Sequence, residues 1–342
     1  MIYQDVELHN VAEVVQRGDG VRLQRVPEDV RKELNEAARF RVLQPDNCEL
    51  RFVSDDPEVR VTLSSQVETS VELFHGTFDG ERRAIVGKEP TTLTMPLPSA
   101  ERLRILDRRW WGDLPFAPTV RRLVFGGARR DPVVIHDIDG QGLRPPTADE
   151  VPSLRYLAYG TSITHGFFCE DPMLSYVGQT AWNLGADLIN LGVGGACHCE
   201  AAYADTIAGR DDWDIATLAL SVNMHEFDLG EFRRRVEYMV NTVAGANTTR
   251  PVACITLYPY YRDLGIEPAN EKVGGTPEQF RQTLRDVVEA CPHPNVHLLE
   301  GPKLLTNIGG LADDLIHPSG LGMIEMGRNL SAELQKLLAA NG

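Results

Sequence analysis

Arg155-Tyr-Leu-Ala-Tyr-Gly-Thr-Ser-Ile-Thr-His-Gly166 is the stretch whose reading decides the fold. Strand chemistry from Arg155 to Tyr159 runs into Gly160 and Thr161, and Ser162 then stands where a helix should begin. Short apolar runs recur downstream at Leu188-Ile-Asn-Leu-Gly192, Ile215-Ala-Thr-Leu-Ala-Leu220, Val252-Ala-Cys-Ile-Thr-Leu257 and Val296-His-Leu-Leu299. Between them lie helical stretches, Glu231 to Val243 and Thr276 to Ala290. The second of these opens with Pro277 at a first helical position, and a last helix follows Gly322. Strands alternating with helices predict βαβ units and a five-stranded parallel sheet, an α/β fold.

Upstream of this region the pattern differs. Cys48-Glu-Leu-Arg-Phe-Val-Ser54 alternates, turns at Asp55-Asp56-Pro57 and resumes as Val59-Arg-Val-Thr-Leu-Ser64, which reads as a hairpin. A second hairpin is expected from Val71-Glu-Leu-Phe-His75 and Arg82-Arg-Ala-Ile-Val86 around a turn through Asp79-Gly80. Thr92 to Leu97, Val120 to Phe125 and Pro132 to His136 continue the series, and many short strands separated by turns predict a β-sandwich. The Gly-, Pro- and acid-rich stretch from Asp137 to Pro152 marks the junction. The expected organisation is therefore a sandwich over 1–148, like a carbohydrate-binding module, and an α/β unit over 149–342.

Composition sets outer limits. The chain has 342 residues, 42% apolar and 24% charged, as an ordinary folded globular protein does. A net charge of −15 argues against a general binder of nucleic acid or anionic membranes. Met1 to Asn10 lacks the charged and apolar regions of a signal peptide, and no apolar stretch reaches about 18 residues, so a cytoplasmic protein is expected. Six scattered cysteines read as free thiols.

Ser162 sits at the carboxyl end of a parallel strand, where open α/β sheets bind ligands. Alone it is more readily a helix cap than a nucleophile. The elbow G-x-S-x-G is excluded, since Thr164 stands where its second glycine would be. Near the other end, Asp314-Leu-Ile-His317 has a D-x-x-H spacing ahead of the last helix. Three residues apart in a turn, a carboxylate can reach imidazole Nδ1–H and leave Nε2 free as a base. Asp313 is the alternative acid if the register slips by one. Donors for an oxyanion are available at Asn190-Leu-Gly-Val-Gly-Gly195, through flexible backbone, and at Ser221-Val-Asn223-Met224, through a side-chain amide. Each alone is more often a tight turn.

Together, and in this order, the four places resemble the signature blocks of the SGNH superfamily of GDSL-type esterases, lipases and acyltransferases. Gly160-Thr161-Ser162-Ile163 resembles its Gly-Asp-Ser-Leu, Asn190 to Gly195 its glycine block, Ser221 to Met224 its Gly-x-Asn-Asp, and Asp314 to His317 its D-x-x-H. The departures are Thr161 for Asp, Ser221 for Gly and Met224 for Asp. The resemblance covers residues 154–340 and implies a three-layer, flavodoxin-like SGNH-hydrolase domain. It also implies Ser162 as nucleophile, His317 as base and Asp314 as its orienting acid. The oxyanion donors would be the N–H groups of Ser162 and Gly195 and the Asn223 amide. It implies neither metal nor cofactor. The variant G-T-S-I-T block is similar to that of two-domain members with a sandwich in front.

The expected activity is hydrolysis of a small or sugar-like acyl ester through an acyl-enzyme. The alternatives are transfer of an acyl group from a thioester to a hydroxyl of a natural product, and carbohydrate binding without catalysis. Other features are read against plainer roles. Cys197-His198-Cys199-Glu200 is a poor zinc signature, having one C-x-C and no second ligand pair. His165, Phe167 and Phe168 either meet the substrate or pack on the helix. Tyr258-Pro-Tyr-Tyr261 offers aromatic faces for a sugar or flat acyl group, or else forms core. Trp110-Trp111 is either a carbohydrate platform or buried at a domain interface.

Overall fold

The computed structural model of the protein describes residues 1–97, 101–126, 131–220, 222–267 and 272–341. Its second half is built on a five-stranded sheet, in the spatial order Asp187–Asn190, Arg155–Gly160, Ile215–Ala219, Val252–Ile255 and Val296–Leu299. Every neighbouring pair is parallel. Side chains alternate across it, so helices must cover both faces. Leu157, Tyr159, Ala216, Leu218 and Cys254 point to the layer of helices Ala201–Ala208, Leu229–Ala246 and Pro277–Ala290. Tyr156, Ala158, Ile215, Ala253 and Ile255 point to helices Tyr176–Leu184 and Gly320–Asn341. The expected start at Pro277 is met: Thr276 caps that helix in a reciprocal box with Gln279. No helix among the described residues is long and apolar enough to cross a membrane.

Two antiparallel sheets precede this unit. One runs Ile2–Tyr3, Val6–His9, Glu49–Phe52, Arg121–Phe125, Thr69–His75, Phe78–Val86; the other runs Glu13–Arg17, Gly20–Gln24, Val133–Asp139, Glu58–Ser65, Thr91–Pro96. They enclose a shared apolar core of Leu8, Leu50, Phe52, Val61, Leu63, Leu73, Leu123 and Ile135, as a sandwich requires.

One expected hairpin is overturned. Glu49–Phe52 and Glu58–Ser65 belong to different sheets, because the Asp55-Asp56-Pro57 stretch is a corner between them. Asp56 accepts hydrogen bonds from the N–H groups of Glu58 and Gln141, while Ser54 Oγ donates to Gln141 O. The second hairpin forms, but its turn lies at Gly76-Thr77, with Gly76 at φ +57°; His75 pairs with Phe78 and the register shifts at Leu73/Phe74.

The first sheet abuts the open edge of the parallel sheet. Arg51 donates two bonds to Asp187, at 2.8 and 2.6 Å, and His9 Nε2 lies 2.6 Å from Leu188 O. Glu49 joins Arg51 to Arg122 in the same buried network. Burial alone would raise the Glu49 carboxyl, but the guanidinium groups of Arg122 and Arg51 hold it well below the carboxylate range. Asp187 is likewise lowered against burial by Arg51 and His9. Between the sheets' strands, Glu28–Glu33 and Glu36–Arg41 form two short helices, and Val26, Leu34, Ala38 and Val42 join the core under the parallel sheet.

Candidate active site

Ser162 opens the short helix Ser162–His165 directly after the central strand Arg155–Gly160, with Thr161 as its N-cap. It is 6% exposed, at the carboxyl end of the sheet. Its Oγ lies 2.7 Å from His317 Nε2, and His317 Nδ1 lies 2.6 Å from Asp314 Oδ2. The other oxygen of Asp314 accepts the N–H groups of Ile316 and His317, at 2.9 and 3.0 Å. This closure places Leu315 at φ +55°, a backbone strain of about 1 kcal/mol or more, held by Leu315 N–H to Ala312 O and Tyr261 N–H to Leu315 O. Burial would raise the Asp314 carboxyl, but the hydrogen bonds from His317 and from the two backbone N–H groups lower it. A carboxylate so fixed favours the tautomer with the proton on Nδ1, leaving Nε2 to accept from Ser162. Asp313 is exposed and makes no such contact.

The loop 190–197 can be accounted for peptide by peptide. The N–H of Leu191 goes to Ala158 O, Gly192 to Asn190 Oδ1, Val193 to Gly160 O, Gly194 to His165 Nδ1, Ala196 to Val193 O and Cys197 to Asn223 Oδ1. From Leu191 to Cys197, Gly195 N–H alone has no acceptor among the described residues. Gly195 is exposed and takes φ +69°, which a glycine adopts without strain. Gly192 is required for another reason: a Cβ there would stand 2.4 Å from the backbone N of His165. With Asn223 Oδ1 engaged by Cys197, its Nδ2 has no partner among the described residues, and neither has the N–H of Ser162. Ser162, Gly195 and Asn223 thus each retain an uncommitted donor; Ser221 lies outside the described residues.

Phe167 stacks on the His317 ring at 5.6 Å between centroids, and Phe168 lies at 5.3 Å from it. Phe168 is 51% exposed and also has a positive φ, +64°. His165, by contrast, is buried and faces Gly194 and Asp46. The tyrosines do not offer open faces: Tyr258, Tyr260 and Tyr261 are 6%, 1% and 7% exposed. Instead Tyr258 and Tyr260 wall a narrow apolar pocket with Ile163, Leu220, Val222 and Ile316, beside the serine. Cys197 and Cys199 are buried, and burial pushes the Cys199 thiol up. Trp110 is half-exposed on the segment Arg108–Asp113, and Trp111 lines a surface groove with Ser54, Arg108 and Thr119. What the sequence left unseen is the ring of first-half residues behind the glycine loop, Asn10, Arg25, Asn35, Asp46 and Asn47, for which no local pattern exists.

Comparison with known proteins agrees with this architecture. Residues 158–323 match the GDSL-like Lipase/Acylhydrolase family. No curated protein matches the sequence. Among solved structures, a salicylyl-acyltransferase from a tetracycline biosynthetic pathway is similar over 99% of this chain and 96% of its own, with a TM-score of 0.79 at 18% identity. A GDSL-like lipase from Bacteroides ovatus aligns over 98% and 96%, with a TM-score of 0.72 at 16% identity. A family two carbohydrate esterase from Clostridium thermocellum aligns over 86% and 93%, with a TM-score of 0.61 at 17% identity. Residues 158–323 therefore form a domain of the GDSL-like lipase/acylhydrolase family, and the chain as a whole shares the fold of these structures, with a β-sandwich ahead of its α/β unit.

Proposed function

We propose that the protein is a serine-dependent acyl-ester hydrolase working through an acyl-enzyme, with its catalytic unit in 149–342 and its sandwich in 1–148. The observation that carries this reading is the unbroken line Ser162 Oγ, His317 Nε2, His317 Nδ1, Asp314 Oδ2 beside three uncommitted donors. His317 takes the Ser162 proton as Oγ attacks the ester carbonyl carbon. The carbonyl oxygen, now negative, receives hydrogen bonds from Ser162 N–H, Gly195 N–H and Asn223 Nδ2, each worth about 3 kcal/mol to the transition state. The imidazolium gives its proton to the departing alcohol, and an acyl ester remains on Ser162. Water, deprotonated by His317, then attacks that ester, and the acid leaves as Oγ regains its proton.

A second reading is acyl transfer from a thioester to a hydroxyl acceptor. In its favour are the fold likeness, over nearly the whole chain, to a salicylyl-acyltransferase and the two phenylalanines that make the surroundings of His317 apolar. Intact-protein mass spectrometry with acyl esters and thioesters, on wild type and Ser162→Ala, tests both. Rapid release of free acid is expected for the hydrolase, and an adduct that persists until an alcohol is added for the transferase. Absence of any Ser162-dependent adduct or turnover refutes both and leaves a binding protein.

A further inference from the structure

The first 47 residues supply five side chains behind the loop whose Gly195 N–H is uncommitted, four to the loop itself and Asp46 to the His165 that holds it. Arg25 is 1% exposed and reaches four main-chain carbonyls: Nε to Gln44 O at 2.8 Å, Nη2 to Arg41 O at 2.8 Å, and Nη1 to both Asn190 O and Gly192 O, at 3.0 and 2.9 Å; Nη2 also lies 3.1 Å from His165 Nε2. Asn10 Nδ2 donates to Asn190 O at 3.1 Å, and Asn47 Oδ1 accepts from Asn190 Nδ2 at 2.8 Å. Asn35 Nδ2 donates to Ala196 O at 2.9 Å. Asp46 lies 2.7 Å from His165 Nε2, while His165 Nδ1 receives Gly194 N–H at 3.2 Å. Since Nδ1 accepts, the ring proton is on Nε2, directed at Asp46. That tautomer lets Gly194 N–H bind, and the reverse one would oppose it.

We propose that this first-half segment is part of the catalytic apparatus and that Arg25 is a positioning residue, acting through the peptides at Asn190 and Gly192 to aim the Gly195 N–H. Burying a guanidinium is a poor route to stability, because a well-packed apolar residue commonly serves as well. A rigid planar fork does something a hydrophobe cannot, which is to fix the directions of two carbonyls at once. With the peptides after Asn190 and Gly192 held by Arg25, the next N–H groups held by Gly160 and His165, and Ala196 held by Asn35, the rotation of the Gly194–Gly195 peptide is determined. A segment more than 160 residues away in sequence, by the separations of these bonds, thereby sets an oxyanion donor.

This inference rests on the acyl-enzyme reading, and the test separates the two. On the full chain, kcat and KM for a p-nitrophenyl acetate substrate and the affinity for phenylboronic acid, which forms a tetrahedral adduct at a serine, are measured for wild type, Arg25→Lys, Asn35→Ala and Asn10→Gly. The glycine keeps the φ of +55° that Asn10 adopts. Labelling with a fluorophosphonate to its end point counts competent sites, so loss of folded protein is removed from kcat. For Arg25→Lys, kcat per labelled site is expected to fall about 10- to 100-fold with KM little changed, as for a reacting group misplaced by up to 1 Å. Boronic acid affinity should fall in step with kcat/KM, and the two asparagine variants should show the same pattern several-fold weaker. If kcat per labelled site stays within about two-fold of wild type in the variants that fold, or KM rises while kcat stands, the positioning role is overturned. Should Ser162→Ala keep its turnover, the acyl-enzyme reading fails instead.

Discussion

Replacing Asp314 with Asn tests the proposed base more sharply than deleting it. One carboxylate oxygen accepts the N–H groups of Ile316 and His317, and the other faces His317 Nδ1. The asparagine must keep its carbonyl oxygen on the two backbone donors, since turning its NH2 toward them sets donors against donors. Its NH2 is then forced to face Nδ1. The imidazole can meet it only by taking the tautomer with the proton on Nε2, which points a proton at Ser162 where a lone pair is needed. The expected loss in kcat is about 10⁴-fold, the size found when a serine triad's tautomer is reversed. That corresponds to about 5.4 kcal/mol of activation free energy. The assay is steady-state hydrolysis of a chromogenic short-chain ester across pH 6–9, with thermal unfolding alongside. Asp313→Asn, at an exposed side chain, is expected to lose little. An Asp314→Asn enzyme within about ten-fold of wild type, or one less impaired than Asp313→Asn, refutes the assignment of Asp314 and the tautomer argument with it.

Three further outcomes are expected. Asn223→Ala removes one proposed oxyanion donor and the acceptor of Cys197 N–H, so kcat should fall about 10²- to 10³-fold with KM nearly constant, read from the same ester assay. Glu49→Gln leaves Arg51 and Arg122 with an uncompensated buried charge and should cost about 3 kcal/mol or more at pH 7, measured by urea unfolding. Because the folded-state Glu49 carboxyl is lowered, its contribution is complete above the unfolded carboxylate value of about 4.3 and is lost as pH falls toward the folded value. The gap between wild type and variant should therefore narrow below about pH 4, and a gap independent of pH would contradict the ionised network. Gly195→Ala meets no neighbour within 4 Å yet must hold φ +69°, so it should lower stability by about 1 kcal/mol while disturbing kcat more than KM.

The parts of this protein legible from sequence are those whose cause is local. Strand-to-helix alternation after residue 150 follows from the periodicities of short buried segments, and the five strands form where those runs lie. Ser162, Gly195, Asn223, Asp314 and His317 sit at strand ends or in turns with recognisable spacing, and the fold gathers them at one edge. The sandwich core was visible, but the partner of Glu49–Phe52 was not. All four of its residues are buried, Leu50 and Phe52 in the core and Glu49 and Arg51 against Arg122 and Asp187, and Asp187 comes from the other half of the chain. The strands before residue 25, and Arg25 itself, gave no signal for the same reason: an arginine whose acceptors are carbonyls 165 and 167 positions away looks like any surface arginine. The tyrosines Tyr258 and Tyr260 stayed undecided between substrate faces and core, since their position on that edge said nothing about the packing that encloses them.

Val26, Leu34, Ala38 and Val42, which lie in one apolar cluster with Leu218, Phe232 and Leu284, carry a consequence for the order in which the molecule is made. They leave the ribosome first, and the surfaces that cover them are synthesised about 120 to 240 residues later. At 5 to 20 residues per second that is a wait of roughly 6 to 50 seconds. During it the sandwich can close its own core, whereas these four side chains stay in water, available to chaperones. The two halves are contiguous in sequence, but this cluster is finished only when the last of the parallel strands and their helices have arrived, so a nascent chain cut short before then presents a completed sandwich with an unclosed apolar flank.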